Sequence, residues 1–309
     1  MHRVLAFGEI LFDSFPDHEV LGGAPFNFIS HIHQFSTIFN LPIEPIFVSR
    51  IGIDERGQLI KNYFKKINFP CTYLQESEKQ YTGVVLVSVD SKGQAQYEIL
   101  ENAAWDFIDL SKNLKTLLSK GVSMFYFGSL IQRTSHNRNI LNKCLPDDDV
   151  VAEKVLFDIN IRQGYHSWDV IESSLISCDI LKVNHEELEL LRNKYFKNEK
   201  FTDEFDFIFY LMSNYHLDQV VMTMAEKGAR IITSKHEVYE QKAKPLDNKI
   251  DTVGAGDAFA AVYAIGNILG WPPRTILERS LSFSANICQI NGAIPKDNSI
   301  YREYKMWFE

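Results

Sequence analysis

Residues 251–259 read DTVGAGDAF, and an apolar run long enough for a helix, AFAAVYAIGNIL (258–269), follows directly. A helix beginning at Gly254 turns its unpaired backbone N–H groups and the positive end of its dipole outward, which makes a site for an anion. Gly254 and Gly256 flank Ala255 with no side chain to hold a phosphate away from the backbone. Asp257 stands one turn in, where its carboxylate can accept a proton from a hydroxyl held beside that phosphate. An anion site next to a fixed base is what phosphoryl transfer to an alcohol requires, so Gly254, Ala255, Gly256 and Asp257 form the expected catalytic set.

A glycine turn followed by a helix-start aspartate would account for Gly254 to Asp257 alone. It leaves Asp251-Thr252 ahead of the loop and the small-residue run behind it unexplained. No Lys-Ser or Lys-Thr follows, which excludes a Walker P-loop, and Phe259 stands where a dinucleotide fingerprint needs its third glycine.

Outward from this loop, strand-like and helix-like runs alternate: VLAFGEILF, APFNFISHIHQF, EPIFVSRIG, GQLIKNYFKK, and later MFYFGSL, VLFDIN, DILKVN and QVVMTMA. That alternation predicts an α/β fold, a mostly parallel doubly wound sheet with helices on both faces. Sites in such sheets gather at the carboxyl ends of strands, and Asp13, Gly128, Asn160, Asn184 and Thr223 each close or follow a strand-like run. Residues 80–100 alternate with period two around a DSKG turn and predict a β-hairpin outside the parallel sheet. A second hairpin is predicted over 229–241. One domain, 1–309, is expected, with a small sheet from about 11–20 and 71–106 inserted in it.

DTVGAGDAFAA fits the C-terminal signature of the ribokinase/PfkB carbohydrate kinases at every position, and Gly22-Gly23-Ala24-Pro25-Phe26-Asn27 is similar to that family's GG-x-x-x-N sugar-site motif. Further landmarks follow in the family's order: Arg50-Ile51-Gly52-Ile53-Asp54 with Gly57, FYFGSL (125–130), FDINIR (157–162), Asn184-His185-Glu186-Glu187, VVMTMA (220–225) and Asn291-Gly292-Ala293. The chain thus resembles this family over its whole length. Within it the resemblance is to fructokinases, through 81–108 and 157–164.

The resemblance implies a ribokinase-like fold whose small sheet is a lid over the sugar, and an ATP-dependent sugar kinase acting on a primary hydroxyl, with fructose the first expectation. Other acceptors of the same fold are 2-keto-3-deoxygluconate, ribose and nucleosides. A reading of a different class is a catalytically silent sugar sensor, against which the intact Gly-Ala-Gly-Asp argues. Asp13, Gly22, Gly23 and Asn27 are the implied sugar contacts, supplying acceptors and donors in fixed directions. Asn102 would reach the sugar from the lid base. Arg162 has two readings, contact with substrate oxygens or phosphate, and a surface salt bridge.

On the nucleotide side the resemblance implies Lys182, Asn184, Thr223, Ala225, Gly228, Gly256 and Asn286. Asn184 and Glu187 match the N-x-x-E motif that organises Mg²⁺ around the phosphates, mainly through water. Carbonyls near Asp251, Val253 and Ala293 are an implied site for a monovalent cation such as K⁺. Three departures from the family pattern stand out: Ala225 replaces a usual glycine, Ile29 a usual small residue, and the segment between Asn27 and Gly52 is a few residues long.

The net charge of −8 argues against nucleic acid or an anionic membrane as partner. The four cysteines (Cys71, Cys144, Cys178, Cys288) include no C-x-x-C pair, and fit idle thiols in a reducing compartment. Glu9 and Asp13 break the N-terminal apolar run, and no stretch approaches ~20 apolar residues, so neither a signal peptide nor a span is expected. A cytoplasmic protein, with ATP and a small sugar as partners and a lid edge available for a homodimer, is the expectation.

Overall fold

The computed structural model describes residues 1–89, 95–145, 151–162, 164–246 and 250–309. Its strands are β1 (His2–Phe7), β2 (Leu11–Ser14), β3 (Glu19–Gly22), β4 (Ile43–Gly52), β5 (Leu74–Ser77), β6 (Gly83–Val89), β7 (Ala95–Ile99), β8 (Val122–Gly128), β9 (Ala152–Asp158), β10 (Ile180–Asn184), β11 (Gln219–Thr223), β12 (Ala229–Thr233) and β13 (Val238–Gln241). Among the described residues nine strands form the main sheet, in the order β13-β12-β11-β10-β9-β8-β1-β4-β5. From β11 to β5 all neighbours run parallel; the expected hairpin over 229–241 adds β12 and β13 antiparallel at one edge.

Side-chain alternation sends each strand's apolar residues into two cores. Leu5, Phe7, Phe125, Phe127, Phe157 and Leu181 pack on one face, and Val4, Ala6, Met124, Tyr126, Leu156 and Ile180 on the other. Burial on both faces is why these strands read as nearly continuous apolar runs. Helices Ser135–Cys144, Trp168–Ile176, His185–Tyr195 and Glu204–Tyr215 cover the first face. Helices Ala24–Phe39 and Ala255–Ile268 lie against each other on the second, so the two glycine motifs that start them are brought to one place.

The run VLAFGEILF, expected as one strand, is divided between two sheets. β1 ends at Phe7, Gly8 still donates its N–H to Val48 O at 3.1 Å, and the chain then leaves the main sheet to form β2. Gly8 passes so close to Pro25 that a Cβ there would lie 2.3 Å from Pro25 Cγ. Asp13 therefore sits on the small sheet and not at the end of a main-sheet strand.

That small sheet has the order β3-β2-β6-β7, with β2 and β6 parallel and the other pairs antiparallel. The expected hairpin is its β6–β7 ladder, from Val85↔Ile99 to Val89↔Ala95; the DSKG turn itself lies outside the described residues. β5, inside the expected range 71–106, pairs instead with β4 in the main sheet.

Arg133 fastens the base of the small sheet. It grips Asp106 with Nε–Oδ1 2.7 Å and Nη2–Oδ2 2.6 Å, donates to Leu100 O at 2.7 Å, and lies over the Trp105 ring at 4.1 Å.

Candidate active site

Gly254 caps helix Ala255–Ile268 in the left-handed conformation, φ 77°, and a Cβ on it would lie 2.2 Å from Ala293 Cβ. The loop is thereby wedged against the 292–293 turn. Ser284 Oγ donates to Ala255 O at 2.9 Å and anchors the first helical turn from the neighbouring helix. Asp251 joins the same two segments: its carboxylate accepts from Val253 N at 3.0 Å and from Gly292 N at 3.3 Å. Asp251, Val253 and Ala293 thus lie in segments that meet around the start of the helix.

Asp257, 8% exposed, accepts a hydrogen bond from Asn27 Nδ2 at 2.8 Å. Asn27 is held by its own first turn, donating its N–H to Gly23 O at 2.8 Å. Gly23 has φ 114°, and a Cβ there would stand 2.6 Å from Glu9 O. Burial pushes the Asp257 carboxyl up to about 6, and the Asp158 charge adds to that, while the Asn27 hydrogen bond, Lys182 and Arg162 oppose it.

Asp13 follows the same pattern: burial lifts it to about 6, opposed by Arg162 and reinforced by Asp251. A Cβ on Gly22 would lie 3.0 Å from Asp13 Oδ2, and one on Gly292 would lie 3.1 Å from Val20 Cγ1, so the small sheet meets the anion loop here. Arg162 is exposed, and its charge draws down Glu9, Asp13 and Asp257 together. Asn102 (φ 58°) lines a groove of about 490 Å³ with Glu19, Arg56 and Tyr81, and none of Asp13, Asn27, Arg162 or Asp257 lines that groove.

On the other side of Gly256 stands Lys182, whose Nζ would be 3.5 Å from a Cβ at that glycine. Asp158 holds the ammonium, Nζ–Oδ2 2.8 Å, and raises the lysine pKa against the cost of its burial. Asn184 and Glu187 form a capping box on helix His185–Tyr195: Asn184 Oδ1 accepts from Glu187 N, and Glu187 Oε2 from Asn184 N, each at 2.8 Å. Glu187 Oε1 also accepts from Ile161 N at 2.9 Å. With both carboxylate oxygens already engaged, the pair fits magnesium held through water. Among the described residues no cluster of three His, Cys, Asp or Glu forms a direct cage.

Thr223 ends β11, and Ala225 (φ 48°) and Gly228 (φ 108°) shape the turn into β12, where Met224 N donates to Gly228 O at 2.8 Å. Ala225 adopts a left-handed backbone that an alanine tolerates less well than the glycine the family places there. Asn286 directs its amide to Tyr304 Oη at 2.6 Å and to Glu303 at 3.4 Å. His31 and His33 are structural, paired with Tyr301 Oη (2.9 Å) and Ile67 O (2.8 Å).

Two carboxylates were not singled out in the sequence. Glu9 counted only as a charge breaking an apolar run, yet it is 4% exposed, with burial lifting it to about 7. Asp158, 1% exposed, was visible as part of FDINIR but without a role.

The chain has relatives among known proteins. A probable fructokinase-5 of Arabidopsis thaliana is 26% identical over 94% of this chain and 93% of its own length. A fructokinase of Xylella fastidiosa solved with bound ATP superposes with a TM-score of 0.80 at 17% identity, covering 99% of both chains. A Vibrio cholerae fructokinase solved with fructose, ADP and calcium superposes at 0.75 with 21% identity over 98% of both, and these two likenesses establish the ribokinase-like fold. The profile of the pfkB family carbohydrate kinases matches residues 16–299, and the chain belongs to that family.

Proposed function

We propose that this carbohydrate kinase transfers the γ-phosphoryl group of ATP to a primary hydroxyl of a small sugar, with fructose as the acceptor. The observation that carries the reading is the buried carboxylate of Asp257 at the start of a helix opened by Gly254 and Gly256. The N–H groups of Gly256 and Asp257 at that helix start stabilise charge on the transferring phosphoryl oxygens. The sugar oxygen attacks phosphorus, the bond from phosphorus to the β,γ-bridging oxygen breaks, and ADP leaves with the electron pair. Asp257 takes the hydroxyl proton as the new bond forms, and its raised pKa makes it a better acceptor than an ordinary aspartate. Asn27 fixes the direction of that carboxylate.

Asp13, Gly22, Gly23 and Asn27 supply the sugar's polar contacts, with Asn102 a further contact from the base of the small sheet. Lys182, Thr223, Ala225, Gly228 and Asn286 border the nucleotide. Asn184 and Glu187 would hold Mg²⁺ through water, where it neutralises phosphate charge. A potassium ion at the carbonyls of Asp251, Val253 and Ala293 belongs to the same reading, as does a cytoplasmic setting in which ATP is supplied. Fructose is favoured by the sequence likeness of 81–108 and 157–164 to fructokinases. A carboxylated acceptor such as 2-keto-3-deoxygluconate is the second reading, favoured by the reach of the Arg162 charge into the site.

The test is an ADP-release assay with Mg-ATP against fructose, ribose, 2-keto-3-deoxygluconate, glucose and adenosine. Turnover with fructose above the others supports the proposal. Preference for the keto acid, lost in Arg162→Gln, moves the assignment to the second reading.

A further inference from the structure

We propose that Lys182 contacts the transferring phosphoryl group directly, and that Asp158, assisted by Tyr126, is the positioning residue that aims it. The inference rests on the phosphoryl-transfer reading above and adds a fixed cation to it. Lys182 on β10 is the register neighbour of Asp158 on β9, and their side chains are 8% and 1% exposed. Asp158 Oδ2 accepts from Lys182 Nζ at 2.8 Å and from Tyr126 Oη at 3.1 Å. Tyr126 is itself clamped, its ring stacked on Phe28 with centroids 3.9 Å apart and an interplanar angle of 9°. Phe28 follows Asn27, so the helix that orients the base also braces the residue that orients the lysine.

The other side of the ammonium looks onto the anion site. Nζ lies 3.5 Å from where a Cβ on Gly256 would be, which puts the charge beside the first turn of helix Ala255–Ile268. An ammonium has three donors, of which Asp158 takes one. The helix start and the ammonium therefore address the same bound anion, and charge spread over the phosphoryl oxygens in the transition state meets both.

A second buried ion pair in the molecule shows what a purely structural pair looks like here. Arg133 and Asp106, 6% and 0% exposed, satisfy both carboxylate oxygens, add a bond from Ala103 N at 2.9 Å, and stack on Trp105. Asp158, in contrast, keeps Oδ1 buried with no hydrogen-bond partner. Burying two charges is at best near break-even when every lone pair is used, and an unmatched oxygen adds a further cost. Stability alone does not account for the pair, whereas a cation held beside an anion site does.

The experiment compares wild type, Lys182→Met, Asp158→Asn, the double variant and Tyr126→Phe in the ADP-release assay, with melting temperature and sugar KM as companions. Lys182→Met is expected to lower kcat by about a hundredfold with sugar KM nearly unchanged, the loss typical of one transition-state donor. Asp158→Asn is expected to lower kcat about tenfold, and Tyr126→Phe less. The deciding variant is the double one, which removes both charges together and so avoids the stranded buried ion that threatens the folding of each single change. If Asp158 acts only through Lys182, the double variant is no slower than Lys182→Met alone. Losses that multiply, or a Lys182→Met enzyme with kcat near wild type, overturn the inference and leave the kinase reading standing. A wild type that phosphorylates nothing in the panel removes that reading, and this inference with it.

Discussion

Asn27 and Asp257, 230 positions apart, share a 2.8 Å hydrogen bond in which the carboxamide of one glycine motif's helix holds the carboxylate of the other's. The contact joins the sugar-side motif to the base. It also has an electrostatic direction: a donated N–H favours the ionised carboxylate and opposes the burial that lifts Asp257.

Replacing Asn27 by alanine therefore raises the Asp257 pKa above its present value of about 6. The acid limb of the kcat/KM profile should move to higher pH, and kcat/KM at pH 7 should fall roughly tenfold to a hundredfold, the range for a hydrogen bond to a charged group. An acid limb left where wild type has it would show that this bond does not tune the base.

Three carboxylates of the site carry pKa values raised by burial: Glu9 from 4.5 to about 7, and Asp13 and Asp257 from 3.8 to about 6. A carboxyl that holds its proton more tightly in the fold than in the unfolded chain contributes stability below its unfolded pKa. That stability is lost as pH rises through its folded pKa. These three groups lower the stability between about pH 4 and pH 7.5, against a rise from His31, whose burial lowers its imidazole from 6.5 to about 3; above about pH 6.5 Glu9 is left as the declining contribution. Glu9→Gln, measured by calorimetry across this range, should flatten that decline; an equally steep fall in the variant would contradict the assignment.

Gly23→Ala puts a methyl 2.6 Å from Glu9 O at a φ of 114°. Strain of this kind costs about 1–3 kcal/mol, and the displaced backbone would also disturb the Gly23–Asn27 turn. Chemical denaturation should report the stability loss and the assay a rise in sugar KM. A variant within 0.5 kcal/mol of wild type, on the roughly neutral scale of surface changes, would show that the loop relaxes freely.

Arg133→Ala leaves Asp106 buried and unpaired beneath the small sheet. Removing one partner of such a pair costs about 3–5 kcal/mol, and here the stacking on Trp105 is lost as well. Urea titration should show that loss. A stability change below 1 kcal/mol would mean that the small sheet is fastened elsewhere.

The sequence was most legible where local chemistry decides structure. The helix start at Gly254 follows from glycines ahead of a small apolar run, and the buried parallel strands β8 to β11 follow from nearly continuous apolar stretches. The division of VLAFGEILF between two sheets was hidden, because it depends on Gly8 passing against Pro25, a contact that periodicity does not encode. β5 is a four-residue strand, LQES, too short to carry a pattern.

Within the site, Asp13, Gly22, Gly23 and Asn27 were visible through motif spacing; Asn27 bonds Asp257, Gly23 shares its turn, and Gly22 lies beside Asp13. Glu9 and Asp158 owe their character to burial and to strand register. Asp158 faces Lys182, 24 positions on, only because β9 and β10 run parallel in that register. Asn102 was read from its neighbours in sequence, while its left-handed backbone sets it in the groove with Glu19 and Arg56.

The most direct test of the central claim is Asp257→Asn, measured for turnover and for sugar binding on the same preparation. The variant keeps the shape of the side chain and removes its capacity to take a proton. Turnover reduced by about 10²–10⁴, the usual share of a general base, with sugar affinity within a few-fold of wild type is the predicted result. Substantial turnover in a folded Asp257→Asn enzyme would contradict the account.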